Sequence, residues 1–467
     1  MITLRECQNE LVTGVRAEMK RHKCILMQSA TGSGKTVISA YLLQQVVNKG
    51  FDAFFLVHRK NLVKQTEGTL DQFNVKYSHI TANNGYNPYA KVHICSIGTL
   101  VNRLEKVKVP KIIFVDETHL ANSPSWSKVL DYYRAKGCWI IGLSATPIRL
   151  DGKGLNRHFS SMVCGKSMGW LIDHNYLSEY RYFAPSVPDM EGVGRSNGEW
   201  NKASMVKTIR KQRSKLVGDA VKHYKKHAMG MRAIAYCVSV EESKQTAIDF
   251  ECAGITAQHI DGNTPLAEQR KIIRAFADGH IDVLVSVDLF TTGFDLAAQV
   301  GRPVAVQCVI MLRPTESLSL FLQIAGRALR YDGDVHIILD HAGNAAKHGL
   351  PCDEREWSLE GMEKKKSKKN DDETDVKSKD CPECFFVHKP APVCPNCGYV
   401  HEIKGRKIGT EDGELEEIQR GQAVKEEKKK KDKARFFQLK NSAVKQGFKN
   451  PDLYARNTMI AEKKGLM

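Results

Sequence analysis

The stretch KCILMQSATGSGKTVISAYLL (23–43) sets the tightest limit on what this chain folds into. An apolar run with strand character enters a glycine-rich octet, SATGSGKT (29–36), and leaves it as a helix-patterned run. Glycines let backbone N–H groups close around phosphate oxygens, and the following helix N-terminus adds positive potential there. Thr31, Gly32, Ser33 and Gly34 form the expected cradle, Lys35 reaches toward the β- and γ-phosphates, and Thr36 offers a hydroxyl to Mg²⁺. The strict pattern places Gly at position 29, where this chain has Ser.

The same alternation of strand and helix continues to about residue 345. DAFFLVH, KVHICSI, KIIFVDE and CWIIGLS follow the first strand, and MRAIAYCVS, IDVLVSV, RPVAVQCVIML and DVHIILD form a later group. Unbroken Val/Ile/Leu runs suit strands covered on both faces, as in parallel sheets flanked by helices. A Pro- and Gly-rich stretch, PSVPDMEGVGRSNGEWN (185–201), separates the two groups. The expectation is therefore two α/β domains, 1–182 and 205–346, with an inter-domain connection at 183–204. Beyond them a charged linker is expected at 347–380, a cysteine-rich piece at 381–400, and a charged tail with short helices at 401–467.

Charge and hydropathy narrow the setting. A net charge of +17 favours a polyanionic partner, because Lys and Arg on phosphates release condensed counterions. No run approaches the roughly 18 apolar residues of a membrane span, and the charged N-terminus lacks the apolar core of a secretory signal. The expected location is the cytosol.

Two further motifs carry chemistry. KIIFVDETH (111–119) is an apolar strand that delivers Asp116 and Glu117 to the sheet edge where the glycine-rich loop also sits. Asp116 is placed to hold Mg²⁺, and Glu117 to orient and deprotonate an attacking water. QIAGRALR (323–330) puts Arg327 and Arg330 three apart on a helix, where they share one face. Arginines there would offset the charge that builds on a transferring phosphoryl group. They lie far along the chain from Lys35, so a shared site requires the two domains to close on one another.

In this order the motifs resemble those of superfamily-two helicases and translocases of the DExH type over about residues 1–346. Within that group TTGFD, LRPTESLSLFLQIAGRALR and ILDHAGN look most like RadD-type bacterial DNA-repair ATPases and their phage relatives. The resemblance implies two tandem RecA-like domains with parallel sheets, ATP between them, and a nucleic-acid strand across both. It also implies the cytosol of a bacterium or a phage-infected host. By the same resemblance, Gln8 in LRECQ reads adenine with Arg5 in support. Arg59 and Thr99 contact the strand from the first domain, and His119, Ser144 and Thr146 couple hydrolysis to movement. Thr291 and Thr292 contact the strand from the second domain, Gly293 and Asp295 lie near the ATP cleft, and Gln323 senses the γ-phosphate. Asp295 is followed by LAAQVGRP, where relatives often have an earlier proline.

The chain has thirteen cysteines, and four of them stand apart in CPECFFVHKPAPVCPNCG (381–398). Two C-x₂-C pairs nine residues apart suit a tetrahedral zinc ribbon with Cys381, Cys384, Cys394 and Cys397 as ligands. Phe385, Phe386 and Tyr399 supply either its small core or a surface for stacking bases. Lys428–Lys431, with Phe436 and Phe437 after them, offer a nucleic-acid or protein contact. The combined reading is an ATP- and Mg²⁺-dependent helicase or translocase with a structural Zn²⁺ site, on DNA, in repair, recombination or replication. The alternatives are an ATP-switched annealing or scaffold protein that does not separate strands, and an RNA helicase.

Overall fold

The computed structural model describes residues 3–58, 60–82, 86–118, 121–148, 154–184, 189–196, 199–290, 296–361, 379–389, 391–401 and parts of 435–459. Met1–Glu402 forms one compact unit. In the other, Ile403–Met467, the described residues include helical turns at 435–436 and 438–444. Lys428–Lys431 and Phe437 lie outside the described residues. Among those described, no helix is long and apolar enough to cross a membrane.

The first sheet contains β1 (Cys24–Gln28), β2 (Ala53–Val57), β3 (Tyr77–Ile80), β4 (Val92–Ser96), β5 (Ile112–Val115), β6 (Trp139–Ser144) and β7 (Ser161–Cys164). Its order is β3-β4-β2-β5-β6-β1-β7, and every pair is parallel. All five residues of β2, AFFLV, are buried. Successive side chains point to opposite faces, so Phe55 and Val57 join one apolar layer while Phe54 and Leu56 join the other. A strand buried on both faces has no polar side, which is why its sequence shows no alternation.

The chain then passes through β8 (Tyr180–Phe183) and a short hairpin, β9 (Arg195–Ser196) with β10 (Glu199–Trp200). The second sheet adds β11 (Ala233–Tyr236), β12 (Ala257–Ile260), β13 (Val283–Ser286), β14 (Cys308–Met311) and β15 (His336–Asp340). Its order is β12-β13-β11-β14-β15-β8, again parallel throughout. Two parallel-sheet α/β domains are thus present, as the sequence implies.

The boundaries differ from expectation in two places. β8, expected at the end of the first domain, is an edge strand of the second, with Tyr180 opposite His336. The hairpin, expected as a connection between domains, is docked on the second domain as well. The Glu199 carboxylate accepts from the Thr315 hydroxyl (2.6 Å) and the Glu316 N–H (2.7 Å). Arg195 Nε lies 3.1 Å from the Glu316 carboxylate. Val193, Met205, Ile209 and Val238 close a small core beside it.

The expected linker at 347–380 also begins as packed structure, and residues 362–378 lie outside the described ones. Residues 349–361 run back from the second domain to the first. The Arg355 guanidinium donates to the carbonyls of His348 (3.1 Å), Leu350 (2.8 Å), Pro351 (3.1 Å) and Asp353 (2.7 Å), which fixes the bend. The Leu359 carbonyl then accepts from the N–H groups of Leu155 (2.7 Å) and Asn156 (3.0 Å) in the first domain. These bonds satisfy backbone groups that a solvated linker would leave to water. A Cβ at Gly154 would stand 1.9 Å from the Leu359 carbonyl oxygen. Gly154→Val should therefore strip this strap from the first domain at a cost of about 1–3 kcal/mol. A lower urea midpoint, with earlier proteolysis between 349 and 361, checks it.

Candidate active site and cysteine cluster

The loop after β1 and the carboxylates after β5 meet at one edge of the first sheet. Gly32 (φ +83°) and Gly34 (φ +90°) adopt the left-handed conformation that turns the loop, and the helix Lys35–Asn48 starts directly after it. Ser29, the departure from the strict pattern, has a structural role. Ser33 Oγ donates to the Ala30 carbonyl (2.6 Å), so the Ser29 hydroxyl donates to Ser33 Oγ (2.6 Å) and closes the loop from inside. Gln8 clamps the same loop: its Oε1 accepts from Arg5 N (3.0 Å) and its Nε2 donates to the Ser33 carbonyl (2.9 Å). Half of the four hydrogen bonds open to the Gln8 amide are thereby spent within the protein.

Lys35 lines the cleft with its Nζ 3.4 Å from the Ser29 carbonyl. Burial lowers its pKa, the carboxylates of Glu117 and Asp116 oppose that shift, and Arg327 adds to it. Glu117 sits at φ +51°, a conformation uncommon outside glycine, and its N–H bonds Asp116 Oδ1 at 3.0 Å. Thr36 lines the cleft beside Asp116, so two oxygen donors of the kind Mg²⁺ prefers share one wall.

The second domain supplies the opposite wall. Gln323, on the helix Leu318–Ala325, points its Nε2 at Glu117 Oε2 (3.5 Å). Thr146 Oγ1 donates to Ser319 Oγ (2.7 Å) across the domains, and Ser144 Oγ accepts from Thr146 N (3.1 Å). Arg327 and Arg330 do not share a face of one α-helix as expected. The α-helix ends at Ala325, a tighter 3₁₀ turn covers Gly326–Leu329, and Arg330 follows in extended conformation. Both arginines nevertheless line the cleft with Lys35, Asp116 and Glu117, around a volume of about 520 Å³. At Gly326 an added Cβ would stand 2.4 Å from Thr31 Cγ2, so the two domains touch there without room for a side chain.

Not every expected residue can be placed. Arg59, His119, Thr291, Thr292, Gly293 and Asp295 lie outside the described residues. Thr99 is half-buried in the short helix Ile97–Leu100 that follows β4. Sequence reasoning missed Tyr176, which lines the cleft and carries the Arg5 guanidinium 4.8 Å over its ring.

In the third region, β16 (Lys379–Asp380) pairs with β17 (Val387–His388) beside the four cysteines. Their ligand atoms all lie within 4.8 Å of one another, with Cys381 and Cys397 sulfurs 3.6 Å apart and Cys384 and Cys394 sulfurs 3.7 Å apart. A Zn–S bond of about 2.3 Å in a tetrahedron puts sulfurs about 3.8 Å apart, so the cluster fits zinc. Phe385 and Phe386 face the second domain: the Ala184 N–H donates to the Phe385 carbonyl (3.0 Å), and the Phe386 ring lies 5.6 Å from that of Phe183. Asn396 donates to Cys384 Sγ (3.2 Å) and accepts from Arg181 of β8, which ties the cluster to the second sheet.

Comparison with known proteins agrees with this layout. Residues 1–149 match the family "Type III restriction enzyme, res subunit", and residues 214–332 match "Helicase conserved C-terminal domain". A "51.5 kDa protein" of Lactococcus phage (isolate 7-9) is 34% identical over 401 residues, covering 85% of this chain and 82% of its own. The "Putative ATP-dependent helicase IRC3" of Saccharomyces cerevisiae is 25% identical over 360 residues, 72% of this chain. The chain belongs to the superfamily-two helicases. It spans half (50%) of the length of the yeast relative. The fold also matches the solved "ATP-dependent Type ISP restriction-modification enzyme LlaBIII bound to DNA" (TM-score 0.55, 17% identity, 72% of this chain, 27% of that one).

For this helicase the tight contact at Gly326 makes a direct prediction. Gly326→Ala should force the domains apart at the cleft and cut ATP turnover at least tenfold, since small misplacements of catalytic groups are costly. Thr31→Ser removes the methyl at 2.4 Å and should restore part of the loss in the double variant. Steady-state ATPase assays on the three proteins measure both effects.

Proposed function

We propose that this helicase is an ATP- and Mg²⁺-dependent motor that moves along DNA in repair, recombination or replication, in bacterial or phage-infected cytosol. The observation that carries the reading is the composition of the cleft. Gln323 from one domain reaches Glu117 from the other, and Arg327 and Arg330 line the same space as Lys35. A nucleotide bound there contacts both domains at once, so its presence favours the closed arrangement through contacts that an open one lacks.

In this reading the loop N–H groups and Lys35 hold the phosphates, and Glu117 takes the proton of the attacking water. Gln323, Arg327 and Arg330 stabilise the charge on the departing phosphoryl group. Thr36 and Asp116 would hold Mg²⁺, which neutralises phosphate charge when bound. Tyr176 and Arg5 offer a flat cationic surface at the rim for the base. Thr146, bonded to Ser319, links the cleft wall to the second domain and so passes its state onward. Release of phosphate removes the charge that draws the arginines in, and the domains part. Alternating closure of this kind moves a strand gripped by both domains.

The net charge of +17 favours nucleic acid, and the DNA-bound state of the LlaBIII structure supports DNA as that nucleic acid. Zinc in the Cys381, Cys384, Cys394 and Cys397 cluster would staple a piece too small to bury its own core.

Three outcomes are expected. Basal ATPase should rise strongly and salt-sensitively with single- or double-stranded DNA and less with RNA. Glu117→Gln should keep nucleotide affinity while turnover falls about 10²–10⁴-fold, the range for a lost general base. Equal rates with all nucleic acids and with none would move the ATP-switched scaffold ahead. Cys394→Ser should reduce bound zinc, measured by atomic emission, from one ion per chain to none while basal ATPase persists.

A further inference from the structure

The segment that carries the arginines ends abruptly, and the carbonyls at a helix end need partners from elsewhere. Here three successive ones, of Ala328, Leu329 and Arg330, are filled by residues that no motif includes. Ser178 N–H donates to the Leu329 carbonyl (3.0 Å), and Ser178 Oγ donates to the Arg330 carbonyl (3.2 Å). His336 Nδ1 bonds the Ala328 carbonyl, and its Nε2 bonds Asp332 Oδ1 (2.7 Å). Asp332 closes the ring, its N–H donating to Ser178 Oγ (3.3 Å) with its own Oδ1 3.4 Å from that hydroxyl.

Asp332 is exposed, but the two residues that bond the carbonyls are sealed from solvent, Ser178 at 1% exposure and His336 at 0%. Bonds in such surroundings hold geometry closely, because water offers no alternative partner. The neighbouring Leu177 forms a backbone bridge to Arg330, and its Cδ2 lies 2.8 Å from where a Cβ on Gly32 would stand. One short segment therefore touches the phosphate loop on one side and the backbone of Arg330 on the other.

We propose that Ser178, Asp332 and His336 are positioning residues that set the reach of Arg330 into the nucleotide cleft. The proposal rests on the role given above to Arg330. The brace holds the backbone from which the guanidinium extends, and Leu177 refers that position to the phosphate loop. It acts on turnover and not on nucleotide affinity.

Steady-state ATPase of the full chain tests this with Ser178→Ala, Arg330→Ala and the double variant. Ser178→Ala should lower kcat about tenfold with KM for ATP unchanged. In the Arg330→Ala background the same change should cost nothing further, since its only route of action is gone. His336→Gln should repeat the pattern from the other side of the ring. Wild-type kcat in Ser178→Ala, or losses that multiply in the double variant, would overturn the brace. Near-normal kcat in Arg330→Ala itself would instead overturn the role of the arginine, which the single variant reports separately.

Discussion

Where Gly326 lies against Thr31, the second domain comes within van der Waals reach of the phosphate loop, and the rest of the cleft depends on that contact. A side chain at 326 would occupy the space of the Thr31 methyl, and every group on that wall would withdraw with it. With the contact made, Gln323 reaches Glu117 and Thr146 reaches Ser319. Neither bond would survive a displacement of an ångström or two, since hydrogen bonds weaken quickly beyond about 3.5 Å. The chemistry available at this interface is thus a function of domain spacing, the physical requirement for a motor.

Chain crossings reinforce that spacing. β8 leaves the first domain to pair with β15, and the strap at 349–361 returns to bond Leu155 and Asn156. The cysteine cluster sits on the outer edge of β8 through Phe385, Phe386 and the Arg181–Asn396–Cys384 chain. Two of the three aromatics that could have offered a stacking surface, Phe386 and Phe385, are turned instead toward Phe183 and His223.

Much of the site could be read along the chain because its pieces are local. The phosphate loop needs eight consecutive residues, 29–36, and its glycines report their own backbone requirement. Asp116 and Glu117 are adjacent, and the four cysteines declare a tetrahedron by spacing alone. Tyr176, Ser178 and Ser319 carry no such mark: each acts through a partner more than a hundred residues away. The helical reading of Arg327 and Arg330 failed for a related reason. A 3₁₀ turn differs from an α-helix by a small backbone change that tertiary contacts choose.

By itself the sequence determined the two parallel-sheet domains, the phosphate loop, the acidic pair and the cysteine set. These follow from runs of apolar residues, glycine conformations and ligand spacing, all short-range properties of the chain. Which sheet receives YRYF (180–183), where the supposed linker packs, and what holds the backbone of Arg330 were decided only in three dimensions. An edge strand pairs with whichever backbone is brought beside it, and its own residues are compatible with either sheet.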